Sequence, residues 1–274
     1  MTHRYTWRTG LLELGMIAAA AVFAIPFYVI INLAFQEPHS QQSAMVPTLP
    51  PNFESLGIAW GAGGLGAALL NSIVVTAVSS VIVIAEAALA SYYLARATSR
   101  LSRIASVAFI GGLMLPLQLA TLPLYVIVRN LGLMGTLWGL VLVYSALFLP
   151  FSIFLYTMFL RAVPIEYEES AQLDGCGPLG AFWHVVFPML RPVTMTVLIL
   201  NGIGMYNDFF TPLLYLSGSG QQTVTVAIIS FVGVYVTQWP VVFAGMLLAS
   251  VPVLIAFIAA QKQIISGFAG GLKG

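Results

Sequence analysis

The chain has 274 residues, 59% hydrophobic and 7% charged, against roughly 45–50% and about 25% in soluble globular domains, so its composition belongs to a membrane. Its formal net charge of +1 gives no basic surface for nucleic acid. Cys176 is the only cysteine, which excludes an internal disulfide and a cysteine-based metal cluster.

A helix crossing a hydrocarbon core of roughly 30 Å needs about 20 mostly apolar residues. Six stretches meet this requirement, at approximately 12–35, 69–94, 104–128, 137–160, 193–214 and 241–260. The first apolar run is about 25 residues long, beyond the roughly 7–15 of a signal-peptide core, and no small-x-small cleavage site closes it. It is expected to stay as an anchor. Helices are the expected form because each backbone N–H in hydrocarbon must find its acceptor within its own segment. Prolines at 26, 116, 123, 150, 212 and 252 fall in these stretches and are expected to kink or unwind them locally.

Between the first two spans, residues 36–68 are rich in Pro, Gln and Ser, as a solvated loop should be. The glycines at 57–66 read as turns; they do not open a helix after a strand, so they are no dinucleotide fingerprint. A seventh apolar stretch, 223–236, is short for a span at fourteen residues and reads as interfacial, re-entrant or β-rich. Charge supports that reading. With the N-terminus inside and six spans, nine of the ten Lys and Arg residues lie in the cytoplasm and only Arg129 lies outside. A seventh span would export Lys262 and Lys273. The expectation is therefore an all-α membrane protein with six transmembrane helices and both termini cytoplasmic. Residues 1–68 would form an N-terminal helix and external loop, and 69–274 the core.

Between the fourth and fifth spans lies a polar island, 164–192, which holds four of the nine acids: Glu166, Glu168, Glu169 and Asp174. Pro164 suits a helix start, since its missing N–H has no partner there anyway. The acids follow in the first turns, where the helix dipole favours negative charge. Tyr167, Ser170, Ala171 and Asp174 share one face at helical spacing. Gly175-Cys176-Gly177-Pro178 should stop this helix, glycine being free to turn and proline unable to continue. A second helix, about 179–187, would put Leu179, Phe182 and Val186 on one side before Pro188 and Pro192 end it. The prediction is a helix–turn–helix elbow with a docking face; a plain solvated loop fits the same residues.

Residues 169–188 also carry a recognisable spacing. Glu169-Ser170-Ala171, three residues, Gly175, nine residues and then Val185-Val186-Phe187-Pro188 resembles the Glu-Ala-Ala, Gly, Ile-x-Leu-Pro loop of binding-protein-dependent ABC importer permeases. Ser170, Val185 and Phe187 depart modestly from that pattern. Asn71-Ser72, LPLQLATLPLY at 115–125, RNLGLMGTLWG at 129–139, Asn207-Asp208 and the ending GFAGGLKG resemble the carbohydrate branch, in particular the smaller permease of maltose-type importers. The likeness runs from about Asn71 to the end and is weak before it.

This resemblance implies a multi-pass subunit of a prokaryotic plasma (inner) membrane that pairs with a second permease subunit as a heterodimer. Two copies of a cytoplasmic ABC ATPase, carrying ATP and magnesium, would bind the elbows, and an external binding protein would deliver a sugar. Glu169, Ala171 and Gly175 carry over as coupling residues, within a loop that includes Glu168, Ser170, Asp174, Val185, Phe187 and Pro188. The chain itself would be non-catalytic and hold no cofactor or metal. It has two lysines, Lys262 and Lys273, and neither sits in a GxxxxGK[ST] frame. His3, His39 and His184 are too scattered for a metal site.

For the solute path, Asn201, Tyr206, Asn207 and Asp208 in the fifth span offer amides and an aromatic ring suited to a neutral polyol. Interhelical hydrogen bonding is their alternative role. Gln118, Tyr125 and Asn130, around the broken third span, are further candidates. Glu86, inside the second span, must be neutral, paired or facing water, and is read either as a structural acid or as a proton site. The alternatives to a sugar permease are a permease for another small solute, such as glycerol phosphate or a polyol, and a self-sufficient secondary transporter. The latter commonly shows inverted repeats and several intramembrane charges, neither of which the sequence displays. A membrane enzyme would need a nucleophile–base pair or a metal cluster at membrane depth.

Overall fold

A computed structural model describes residues 7–61, 64–114, 116–234 and 238–270. Every regular element among them is helical. In chain order these are α1 (Trp7–Ala34), α2 (Glu54–Trp60), α3 (Leu65–Arg96), α4 (Arg100–Met114), α5 (Leu117–Asn130), α6 (Leu137–Ala162) and α7 (Glu166–Leu173). Then come α8 (Pro178–Ala181), a π-helical turn (Phe182–Val186), α9 (Phe187–Met189), α10 (Arg191–Asn207), α11 (Phe210–Tyr215), α12 (Val224–Val234) and α13 (Trp239–Gly270). Among the described residues, four helices are long and apolar enough to cross a membrane, and the number reaches six if each of two bent pairs, α4 with α5 and Pro178–Met189 with α10, counts as one span.

The third predicted span is not one helix. Its residues form α4 and α5, bent by 110°, with Pro116 in an extended conformation as the N-cap of α5. Proline has no N–H to offer the preceding turn and fixes its own φ, so the break falls where the sequence placed it. The fifth span is likewise interrupted: α10 ends at Asn207, Asp208 is extended and α11 follows. Residues 224–234 are helical, which removes the β-rich reading of that stretch.

Two compact units are present, Met1–Gly66 with Ala227–Pro252 and Ala67–Val226 with Val253–Gly274. In the first, the side chain of Asn32 in α1 orders the loop that follows. Its Nδ2 donates to the carbonyls of Ala44 and Val46, both at 2.8 Å, and its Oδ1 accepts from the Thr48 N–H at 2.9 Å. Phe35 meets Phe53 edge-on at 5.3 Å, and Ser55 donates to the Gln36 carbonyl at 2.7 Å. The expected solvated loop is therefore folded back on the end of α1, and Gly57 sits within α2 rather than in a turn.

The second unit is built around α6. Thr136 caps its start by accepting from the Gly139 N–H at 3.0 Å. Pro150 lies inside it, and Ser145 and Ser152 bond back to the carbonyls four residues earlier. One cluster gathers Val75 and Val83 of α3, Leu140 and Tyr144 of α6 and Met205 of α10. A second gathers Ala87 and Leu94 of α3, Ile153 and Tyr156 of α6, and Phe182, Val186 and Leu190 beyond it. Gly204 lets α10 lie close to α6, since a methyl there would come 3.0 Å from the Phe148 ring. This packing fixes the ends of α3 and α6, from which the polar island departs.

Candidate functional site

The island folds as two short helices. The first, α7, begins two residues after Pro164 and has Glu166, Glu168 and Glu169 in its first turn. It ends on Gly175, whose φ of +87° lies in the left-handed region that glycine enters without strain. The Cys176 N–H bonds the Ala171 carbonyl and the Gly175 N–H bonds the Gln172 carbonyl, each at 3.0 Å. These are the two bonds of a Schellman stop, so the glycine satisfies carbonyls that α7 would otherwise leave bare. Gly177 is extended, and Pro178 opens the second helical run, which continues to Met189.

Within that run the Phe187 N–H reaches back five residues to the Phe182 carbonyl, a widened π turn just before Pro188. A proline ring crowds the carbonyl four residues earlier, and the wider turn gives it room. Phe182, Val186 and Leu190 are fully buried in the second unit's core. Burying each such side chain contributes about 1.5–3 kcal/mol, enough to plant this half of the elbow firmly. Leu179 is not part of that anchor, contrary to the sequence reading; it is 68% exposed. Helical spacing placed it one turn from Phe182, but it lies on the outer side of the first turn of α8.

The first helix has two faces. Glu169, Ser170, Asp174 and Gly175 are exposed, together with Glu166 and Tyr167. Leu173 stands 89% exposed beside them. Val185, Phe187 and Pro188 are half-buried along the second run. The outward surface thus combines carboxylates with two bare leucines, Leu179 and Leu173, of which the sequence reading did not single out Leu173. Exposed apolar side chains rimmed by polar ones are the composition of an interaction surface.

Glu168 and Ala171 turn the other way. Ala171, which the sequence reading placed on one face with Tyr167, Ser170 and Asp174, is 7% exposed, and Glu168, counted there in the coupling loop, is only 4% exposed. The reason is a partner 72 residues away: Arg96 Nε donates to Glu168 Oε1 at 2.8 Å, and Arg96 Nη2 lies 2.7 Å from the same oxygen. The Tyr92 hydroxyl donates to Oε2 at 2.9 Å. Arg96 and Tyr92 occupy adjacent turns at the end of α3, an i, i+4 pair that only the fold connects to the island. Ser170 stays local, donating to the Glu166 carbonyl at 2.7 Å.

The residues considered for a solute path have different surroundings. Asn201 is 1% exposed and donates to Ser152 Oγ at 2.8 Å, binding α10 to α6, while its Oδ1 has no partner. Tyr206 is buried and Asn207 exposed. Asp208 Oδ1 accepts from the N–H groups of Phe210 and Thr211 at 3.0 and 3.4 Å, starting α11, and its carbonyl accepts from Thr225 Oγ1 at 2.7 Å. It is a joint residue at the break in the span. Tyr125 packs against Tyr215 at 6.3 Å. The side chain of Gln118 lies outside the described residues. Asn130 is exposed at the end of α5, and Glu86 is exposed on α3. Asn71 and Ser72 hold the start of α12, Asn71 Nδ2 donating to the Gln222 carbonyl at 2.9 Å and Ser72 Oγ accepting from the Val224 N–H at 2.8 Å. Among the described residues, no group of three or more His, Cys, Asp or Glu side chains is arranged to hold a metal.

Residues 87–266 match the family described as binding-protein-dependent transport system inner membrane component, a span that includes the whole elbow. The melibiose/raffinose/stachyose import permease protein MelC of Bacillus subtilis is 31% identical over 259 residues, covering 94% of each chain. The multiple sugar-binding transport system permease protein MsmG of Streptococcus mutans is 30% identical over 97% of this chain and 96% of that one. The diacetylchitobiose uptake system permease protein NgcG of Streptomyces coelicolor is 32% identical over 80% of this chain and 73% of its own. In fold, the chain is similar to one from a crystal structure of a bacterial ABC transporter involved in import of the acidic polysaccharide alginate. The TM-score is 0.80 at 19% identity, covering 95% of this chain and 99% of that one.

Proposed function

The chain belongs to the family of binding-protein-dependent transport system inner membrane components, and on that premise we propose that it is one permease subunit of an ATP-driven sugar importer. Its relatives named for melibiose, raffinose and stachyose, for multiple sugars and for diacetylchitobiose support a saccharide as the solute. The observation that carries the coupling role is the outward face of α7, with Glu169, Asp174, Gly175 and Leu173 exposed on a helix whose other face is bound to the bundle. That face docks a cytoplasmic ABC ATPase. The ATPase, present in two copies, binds ATP and magnesium, and this chain is non-catalytic.

A second permease subunit supplies the other half of the path, and an external binding protein delivers the solute. The elbow and both termini face the cytoplasm, in line with the distribution of Lys and Arg. ATP-driven closure of the ATPase pair pushes the elbows, and the helices rock between outward-open and inward-open arrangements. Energy enters through the elbow because ATP favours one of the two states, and only a differential contact can shift their populations.

The test is reconstitution of the chain with its partner permease, ATPase and binding protein in proteoliposomes, with uptake measured over a panel of saccharides, polyols and glycerol phosphate. Saccharide uptake that needs both ATP and the binding protein is the expected result. Uptake restricted to glycerol phosphate or a polyol would reassign the solute, and uptake by this chain alone without ATP would overturn the permease reading.

A further inference from the structure

Glu168 and Arg96 have no part in a docking surface, because both are turned inward. Yet they form an ion pair at the place where the elbow leaves the bundle. Arg96 closes α3, and its Nη2 also donates at 2.9 Å to the carbonyl of Val163, the residue that caps α6. One guanidinium therefore ties together the end of α3, the end of α6 and the first turn of α7. Both oxygens of Glu168 are occupied, Oε1 by Arg96 and Oε2 by Tyr92. The Tyr92 ring, in turn, lies 5.0 Å from the ring of Phe182 in the second half of the elbow. Both halves of the elbow are thus held to the same turn of α3.

A buried ion pair is a poor choice for stability alone, since desolvation offsets most of its attraction and apolar side chains of similar volume often do as well. It supplies something else. A forked guanidinium with its donors engaged on one carboxylate and one carbonyl fixes direction as well as distance, whereas an apolar contact can slide. A sliding contact here would let α7 shift under load while α3 stayed in place.

We propose that the Arg96–Glu168–Tyr92 cluster is the joint that passes displacement of the elbow into α3. Glu168 and Arg96 are positioning residues of the transport cycle, acting through α3 and touching neither solute nor ATPase. The proposal rests on the reading that the outward face of the elbow docks an ATPase, and it adds which bond carries the push and which helix receives it. The joint makes the elbow and the end of α3 move as one body.

The experiment uses the complete importer in proteoliposomes, carrying Glu168→Gln, Arg96→Gln, the double variant or Arg96→Lys. Two quantities are read: ATPase retained on the purified permease pair, and solute transported per ATP hydrolysed. Glu168→Gln keeps the side chain's shape and the outward face, so ATPase retention should match the wild type. Transport per ATP should fall about fivefold or more, the range expected when an energetic link between sites is cut. The double variant should be no worse than the worse single one, because both remove the same link. Arg96→Lys keeps the charge without the fork and should fall between; it also serves if Glu168→Gln does not accumulate. Unchanged transport per ATP in Glu168→Gln or in Arg96→Lys sinks the joint, as does a double variant whose loss is the product of the two single losses. Loss of ATPase from a folded Glu168→Gln importer would make Glu168 a docking residue and overturn the proposal equally. A wild-type permease pair that retains no ATPase would instead refute the docking reading itself.

Discussion

Gly175 offers the sharpest test of the elbow, because the effect of its replacement can be worked out from one backbone angle. Its φ is +87°, and a methyl group built on it meets nothing within 4 Å. Gly175→Ala therefore introduces no collision, and its whole effect is conformational. Holding an L-residue in the left-handed region costs roughly 1–2 kcal/mol. Alanine regains part of this, about 0.4–1 kcal/mol, by restricting the unfolded chain. The net is about 1 kcal/mol against the capped state, or about a fivefold increase in the open fraction of the α7 stop. Asparagine tolerates the left-handed region better and should lose less, while β-branched valine should lose more. Hydrogen exchange on the purified importer in nanodiscs reads this directly, at the N–H groups of Gly175 and Cys176 that bond the Gln172 and Ala171 carbonyls. Exchange there should accelerate in the order Asn, Ala, Val, with α6 and α10 unchanged, and sugar uptake should decline in the same order. Wild-type protection in Gly175→Ala, or a larger effect from Asn than from Ala, would refute the backbone argument.

Three further outcomes are expected. Cys176, half-buried in the turn of the elbow, should react with a membrane-impermeant thiol reagent in inside-out vesicles and not in intact cells; labelling of intact cells would invert the topology. Glu169→Ala, on the exposed face, should weaken ATPase retention by about two- to fivefold while leaving the thermal stability of the permease within about 0.5 kcal/mol; a stability loss without a retention loss would assign Glu169 a structural role. Asn201→Ala removes one buried interhelical bond to Ser152 and should destabilise by about 0.6 kcal/mol, with the KM for uptake within about twofold. A large KM change at unaltered stability would return Asn201 to the solute path.

The parts of the structure that were legible from sequence are those governed by local rules. The spans at α1, α3, α6 and α13 follow from apolar length, and the Schellman stop at Gly175 and the start at Pro178 follow from what glycine and proline permit. The prolines were also readable as interruptions, but not their size: Pro116 caps a new helix after a bend of 110°, whereas Pro150 leaves α6 continuous. The surroundings differ, since α6 contributes buried residues to three packed clusters. Asp208 likewise reads as a polar residue inside a span, and only the fold reveals that it receives the N–H groups of the helix that restarts after it.

Glu168 and Glu169 bring this to its sharpest point. They are the same residue type, adjacent in sequence, in the same turn of the same helix, and equally favoured by its dipole. Helical geometry alone requires neighbours about 100° apart to face different surroundings, so at most one of them could be central to a narrow docking face. Choosing between them needs the location of Arg96, and Arg96 entered the sequence reading only as one more positive charge on the cytoplasmic side. Once α3 and α6 pack, that charge lies 2.7 Å from Glu168 and out of the way of Glu169. The same pairing gives the island's acids different roles. Glu168 holds the elbow to the bundle, while Glu166, Glu169 and Asp174 stay in the solvent-facing surface. An elbow bound on one face and exposed on the other is what a lever requires, because a push received on the outer face is useful only if the inner face does not yield.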